Sequence, residues 1–341
     1  MAILITGGCG FVGINLAEAL LARGESVVLF DRRGLPVAAV TELQPWASAL
    51  KVIEGDLRDK VALEQVMRNY RVERAVHAGV ITAGAARESS EPNEIIAINL
   101  CCTVSLLEAA RSAGCGRVLY VSSGSAYGRT LDEVGPLHEE GSPSRPESLY
   151  GITKYAAEQT ALRLRELWDF DVVCARLGSV FGPWEYGTGA RDRLSPQLQL
   201  ACFAVSGGAA VLPSREVRRD WVYSRDVANG LMQLLFAQRP QYGMYHLSAG
   251  RDWSGFFPRW CDTLRITYPQ FSWRLATPGE LPNVNYQADR DRASMDIGRV
   301  TSDIGFVPQF GPRDACADFS AWIRTHEAFI ASGGCAAVES A

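Results

Sequence analysis

Short apolar runs alternate with amphipathic stretches through the first half of the chain. AILIT (2–6), SVVLFD (26–31), LKVIE (50–54), RAVHA (74–78), RVLYVS (117–122) and DVVCAR (171–176) each read as a buried strand bounded by turn residues. Between them, FVGINLAEALLARG, NEIIAINLCCTVSLLEAARSAG and YGITKYAAEQTALRLRELW read as helices. Strands buried on both faces and separated by helices predict a parallel sheet with crossovers. Right-handed crossovers make this an α/β, doubly wound sheet whose ligand crevice opens at the carboxyl ends of the strands.

The rhythm changes after about residue 177. GSVFGPWEYGTGARDRLSP, the stretch around SGGAAVLPSREVRR and the chain from about 248 onward are richer in Gly, Pro, Trp and Arg. WVYSRDVANGLMQLLFAQ and YGMYHLSAG interrupt them as a helix and strand returning to the main sheet. The expected organisation is therefore a sheet domain from 1–176 plus about 221–247. A smaller discontinuous lobe takes about 177–220 plus 248–330, and 331–341 is a flexible tail.

Composition narrows the class. The chain is 47% hydrophobic and 21% charged over 341 residues, ordinary values for a globular protein able to bury a large core. A net charge of -4 argues against general attraction to nucleic acid or anionic membrane. Nine scattered cysteines form no CxxC pair, and four histidines are too few to complete a zinc cluster, so no metal site is expected. Such cysteines read as reduced thiols of a cytoplasmic protein. Met1 runs straight into AILIT with no basic segment or long apolar run, so neither a signal peptide nor a membrane span is expected.

TGGCGFVG follows the first strand and opens a helix. It satisfies GxGxxG through Gly8, Gly10 and Gly13, and GxxGxxG through Gly7, Gly10 and Gly13. Glycines there let the backbone turn sharply and approach a pyrophosphate, whose charge the helix amides favour. Strand, turn and helix in this order predict a Rossmann-type dinucleotide site, with Phe11 and Val12 at the helix start. Asp31 ends the second strand about 20 residues further on, where a carboxylate accepts both ribose hydroxyls and repels a 2′-phosphate. That favours NAD over NADP, although Arg32 and Arg33 follow and an arginine there can hold the phosphate. Asp56 and Leu57, in EGDLRD, stand where the adenine edge would lie; Asp56 reads equally well as a helix N-cap.

YGITK places Tyr150 and Lys154 on one helix face. A neighbouring ammonium stabilises a phenolate, and such a tyrosine takes the proton from a carbinol as hydride leaves. The pair comes 27 residues after Ser123 in SSGSAYG, at the crevice end of the fifth strand. Ser123 is placed to hydrogen-bond the reacting oxygen and Ser125 to touch substrate, unless they serve only as turn residues.

TGGCGFVG, GDL, VSSGSAYG, YGITK and RRDWVYSRDVA together resemble the extended short-chain dehydrogenase/reductase (NAD-dependent epimerase/dehydratase) family along most of the chain. The resemblance implies Ser123, Tyr150 and Lys154 as catalytic residues with Asn99 as a fourth member. It implies that Ala78 and Gly79 line the cofactor and that Lys154 bridges the nicotinamide ribose. It also implies a homodimer built from two helices per subunit, here about 93–112 and 149–168.

Departures from the family pattern bear on substrate. The Asp-Glu pair of sugar-nucleotide dehydratases is replaced by Gly124 and Ser125, which argues against dehydration. The usual diphosphate-binding Asn of the epimerases is Ser179. Arg219 is kept, and Arg191 and Arg193 sit at the expected mouth of the second lobe. Either these arginines clamp a carboxylate or phosphate, or they form ordinary surface ion pairs. Trp184, Glu185 and Trp221 either shape the pocket or fill the core. The expected activity is NAD-dependent oxidation or reduction of a secondary hydroxyl on a sugar, sugar acid or related polyol; the alternative is epimerisation through a transient ketone.

Overall fold

A computed structural model describes residues 2–130, 135–286 and 291–332. Seven parallel strands form the main sheet: β1 (Ala2–Thr6), β2 (Val27–Asp31), β3 (Leu50–Glu54), β4 (Val72–His77), β5 (Arg117–Ser123), β6 (Val172–Leu177) and β7 (Met244–Leu247). Their order is β7-β6-β5-β4-β1-β2-β3. The strand order reverses at β1, which pairs with β2 on one side and β4 on the other. Loops leaving β1 and β4 diverge there, and the crevice between them is where a doubly wound sheet takes its ligand.

The inner apolar runs become strands because both sheet faces are covered there; LKVIE, expected to be buried, forms the edge strand β3 and is exposed or half-buried throughout, having a neighbour on one side only. Leu4, Ile5, Leu29, Phe30, Val76 and Leu119 alternate between two clusters, one on each face. The helix Phe11–Ala22 packs beside the helix Ser224–Phe236, and Lys60–Asn69 and Cys102–Ser112 cover the other side. Pro92–Ser112 is a helical stretch long and apolar enough, by composition alone, to cross a membrane; here it lies against the helix Leu149–Trp168. That stretch loosens into a π-helical turn at Ala97–Cys101, a feature common at functional sites.

The remainder builds two small parallel sheets, Ser179–Phe181 with Trp221–Tyr223 and Ala209–Leu212 with Ser272–Leu275. Its core is aromatic. Trp184 packs edge-on against Trp322 and Phe329, Trp221 against Phe257, and Trp260 stacks on Phe319. Trp184 and Trp221 are thus core residues. The eight described cysteines are free, and all but Cys101 are buried; Cys335, with the tail from 333 on, lies outside the described residues.

Candidate active site

The turn after β1 is tight enough to demand glycine. Gly7 has φ +65, and a Cβ there would stand 2.6 Å from the backbone of Gly79. A Cβ on Gly13 would meet the Gly7 carbonyl at 2.4 Å. The glycine turn therefore abuts the loop after β4, and the free amides of the following helix open into the space between them. This cradle fits a pyrophosphate.

Asp31 ends β2 at the rim of the same space. Its carboxylate accepts the Cys9 N–H at 3.1 Å and the Arg33 N–H at 3.3 Å, while burial pushes its pKa up. Arg32 lies 3.6 Å from Glu94 and is half exposed. Asp56 binds the Arg58 backbone N–H at 2.8 Å and its guanidinium, which holds the carboxyl below the usual range. The cap of the next helix is Asp59, which accepts the Ala62 N–H, so the alternative role for Asp56 as N-cap is excluded.

At the far end of the crevice, β5 closes in a short 3-10 turn, Gly124–Ala126, and Ser123 Oγ accepts the Ser125 N–H at 3.1 Å. The Ser123 hydroxyl proton remains to be donated elsewhere. Behind it, Ser122 Oγ donates to Glu158, which also binds the buried Arg176 guanidinium at 2.5 and 2.7 Å. This network ties the turn after β5 to the helix carrying Tyr150 and Lys154. Ser148 caps that helix by accepting the Gly151 N–H.

Lys154 is buried, donates to the Val121 carbonyl at 2.6 Å and lies 4.7 Å above the Tyr120 ring. Burial pushes its pKa down to about 7, against a raising influence from Glu158. Folding thus disfavours the ammonium: the cost is full below about pH 7 and vanishes above the ordinary lysine value near 10.5. We expect Lys154→Met to raise the melting temperature of dinucleotide-free protein by several degrees at pH 7, with a gain that shrinks toward pH 10. Equal shifts at both pH values, read by calorimetry, would contradict this.

One cavity of about 820 Å³ is lined by Gly7, Gly10, Phe11, Val12, Gly13, Asp31, Arg32, Asp56, Leu57, Ala78, Gly79, Ser123, Ser125, Tyr150 and Lys154. Ser179, Arg191, Arg193 and Arg219 line it as well. Asn99 does not. Its carbonyl accepts the Ile81 N–H at 2.8 Å, and its amide donates to the Ile81 carbonyl and to Thr153 Oγ1. Those bonds occupy it in fixing the loop after β4 against the Tyr150 helix, which is a positioning task.

Arg191 lies 3.2 Å from the fully buried Glu185, and its Nε donates to the Arg193 carbonyl. The segment around it crosses the cleft as a strap. Tyr186 donates to the Cys9 carbonyl at 2.7 Å, Thr82 and residues 190 and 192 exchange backbone bonds, and Asp192 accepts the Gly84 N–H. Arg87 donates to the Gly189 carbonyl at 2.7 Å. Arg292 is a lining residue that sequence reading misses, since it stands in no motif singled out above.

The family model described as the NAD dependent epimerase/dehydratase family matches residues 3–247. Sterol demethylase protein B of Methylococcus capsulatus is 29% identical over 345 residues, covering 95% of this chain and 98% of that one. UDP-glucuronate 4-epimerase 3 of Arabidopsis thaliana is 28% identical, covering 69% of this chain, which spans about half (54%) of that longer protein. The solved structure of MoeE5 in complex with UDP-glucose and NAD is 25% identical, with a TM-score of 0.75, covering 96% of this chain and 100% of that one. With the glycine cradle after β1 and the Tyr150–Lys154 pair on a helix packed against the same seven-stranded sheet, the chain belongs to the NAD-dependent epimerase/dehydratase family of enzymes, the extended short-chain dehydrogenase/reductases.

Proposed function

We propose that this enzyme moves hydride between NAD and a secondary carbinol of a polyhydroxylated, anionic small molecule: a sugar, sugar acid or related polyol. The supporting observation is the single cavity that joins the glycine cradle and Asp31 to Ser123, Tyr150 and Lys154. NAD, when bound, accepts or returns the hydride. Asp31 orients the adenosine ribose, and the amides after Gly10 receive the pyrophosphate. Ser123 holds the reacting oxygen, Tyr150 takes or returns its proton, and Lys154 supports the phenolate once dinucleotide and substrate shield it. Ser125, Ser179, Arg193 and Arg219 face the substrate. Gly124 and Ser125 offer no carboxyl group to expel water, which disfavours dehydration.

A second reading, redox-neutral epimerisation, is favoured by the strap over the cleft, which would slow dinucleotide exchange, and by the UDP-glucuronate 4-epimerase relative. A screen of sugars, aldonates, uronates and UDP-sugars, followed at the reduced-nicotinamide absorbance, separates the two. Net absorbance change with exchangeable NAD supports the first reading. Product formed without such a change, on protein that retains its dinucleotide, supports the second.

We also propose a homodimer through the helical stretch Pro92–Ser112 and the helix Leu149–Trp168, where Ile96 and Ile152 stand 38% and 45% exposed. Sedimentation velocity at micromolar concentration should give twice the chain mass; a monomer would contradict it.

A further inference from the structure

The residue after Ser123 bears on the substrate class, an inference that rests on the hydride-transfer reading above. A Cβ at Gly124 would stand 3.2 Å from Met295 Sδ and 3.5 Å from the guanidinium carbon of Arg292. Arg292 therefore lies directly on the catalytic turn, in space that a side chain at 124 would contest. It is held there: its Nη2 donates to Ser179 Oγ at 3.1 Å, and its backbone N–H to the Arg218 carbonyl at 3.2 Å.

The surroundings gather positive charge. Arg219 lines the same cavity, and burial together with the Arg292 guanidinium pushes its pKa down to about 9. Burial lowers Arg292 too, while Asp220 and Tyr150 oppose that shift. Asp220 accepts the backbone N–H groups of Met295 and Ala249, and Asp291 is taken up by Arg215 and Arg218. The two guanidinium groups repel one another in a partly desolvated wall, and a planar carboxylate matches the guanidinium fork of Arg292.

Position discriminates between anions. A diphosphate at the anomeric carbon of a sugar stands a whole ring away from a carbinol at C4. Arg292 instead packs on the residue that follows Ser123. We infer that Arg292 binds a substrate carboxylate carried by the carbon next to the reacting carbinol, so that the substrate is a β-hydroxy acid, as in the C4 hydroxyl and C6 carboxylate of a hexuronate. Ser179 then serves as the anchor of Arg292 rather than as a diphosphate ligand.

The test is a fluorescence titration of the NADH-loaded enzyme with D-glucuronate, D-galacturonate and 3-hydroxybutyrate, each beside its neutral methyl ester, and with UDP. At least one acid should bind about tenfold or more tighter than its ester. Arg292→Gln should erase that difference with NADH affinity and melting temperature kept, and Arg292→Lys should restore part of it. Acids and esters binding alike in every pair, or discrimination that survives in Arg292→Gln, would overturn the inference. So would a loss of UDP affinity in Arg292→Gln as large as that of the acids, since the arginine would then be a diphosphate clamp; that outcome leaves the hydride-transfer reading intact. Failure of the wild-type protein to bind NADH would instead remove the reading on which the inference rests.

Discussion

Tyr150→Phe should lower turnover roughly 1,000-fold while leaving NAD affinity within about twofold. The ring stays, so the cavity wall between Ser123 and Lys154 keeps its shape and only the proton-carrying hydroxyl is lost. The backbone bond from Tyr150 N–H to Glu88 is unaffected, and Ser148 still caps the helix. Deleting an acid–base group that acts only as the C–H bond breaks should depress kcat and kcat/KM together. Stopped-flow at the reduced-nicotinamide band with the best substrate of the screen provides the measurement. Retention of wild-type turnover would remove Tyr150 from the chemistry.

Asp31→Ala should give the second large effect, on coenzyme choice. On the proposed placement of the adenosine ribose, a 2′-phosphate would meet the charge of the wild-type carboxylate, and Arg32 follows it directly. Removing the carboxylate deletes two charge-assisted ribose bonds, each worth about 1.5–3 kcal/mol at most, and leaves the arginines to attract phosphate. NAD should bind about 10- to 100-fold more weakly, and the NADP-to-NAD affinity ratio should rise about 100-fold. Asp31 also receives the N–H groups of Cys9 and Arg33, so Asp31→Ala slackens the glycine turn as well. Asp31→Asn keeps an acceptor oxygen for Cys9 and serves as the control. Dinucleotide titrations showing an unchanged ratio in both variants would refute this role.

The fold was legible because the inner sheet strands are buried on both faces; LKVIE, read as a buried strand, is instead the half-exposed edge strand β3, which the glycine–helix–strand rhythm still marked. RVLYVS and DVVCAR, expected at 117–122 and 171–176, appear as Arg117–Ser123 and Val172–Leu177. Boundaries moved by a residue or two, where the ladder rather than apolar content ends the strand. The return of 244–247 to the sheet was equally visible in YGMYHL. The cofactor end was readable for a local reason: glycine spacing and the β2 carboxylate are fixed by steps of one strand and one helix.

The substrate end was less legible because its geometry is made by contacts distant in sequence. Arg292 reaches Gly124 across about half the chain, and nothing in DRDRAS separates it from the arginines around it. For Arg191 the sequence left an anion clamp and a surface ion pair equally open; it pairs instead with Glu185, a carboxylate that folding removes from water. Asn99 was singled out by resemblance alone. Its task depends on a π turn that points its amide at Ile81, and hydrophobic periodicity does not encode such a turn.

A crystal structure with NAD bound gives the most direct test, because it needs no knowledge of the substrate. The phenol oxygen of Tyr150 and the hydroxyl of Ser123 should flank one face of the nicotinamide, leaving room for a carbinol roughly 3–3.5 Å from its C4. A pyridine ring lodged elsewhere in the cleft, or a Tyr150 side chain turned out of it, would contradict hydride transfer at this site.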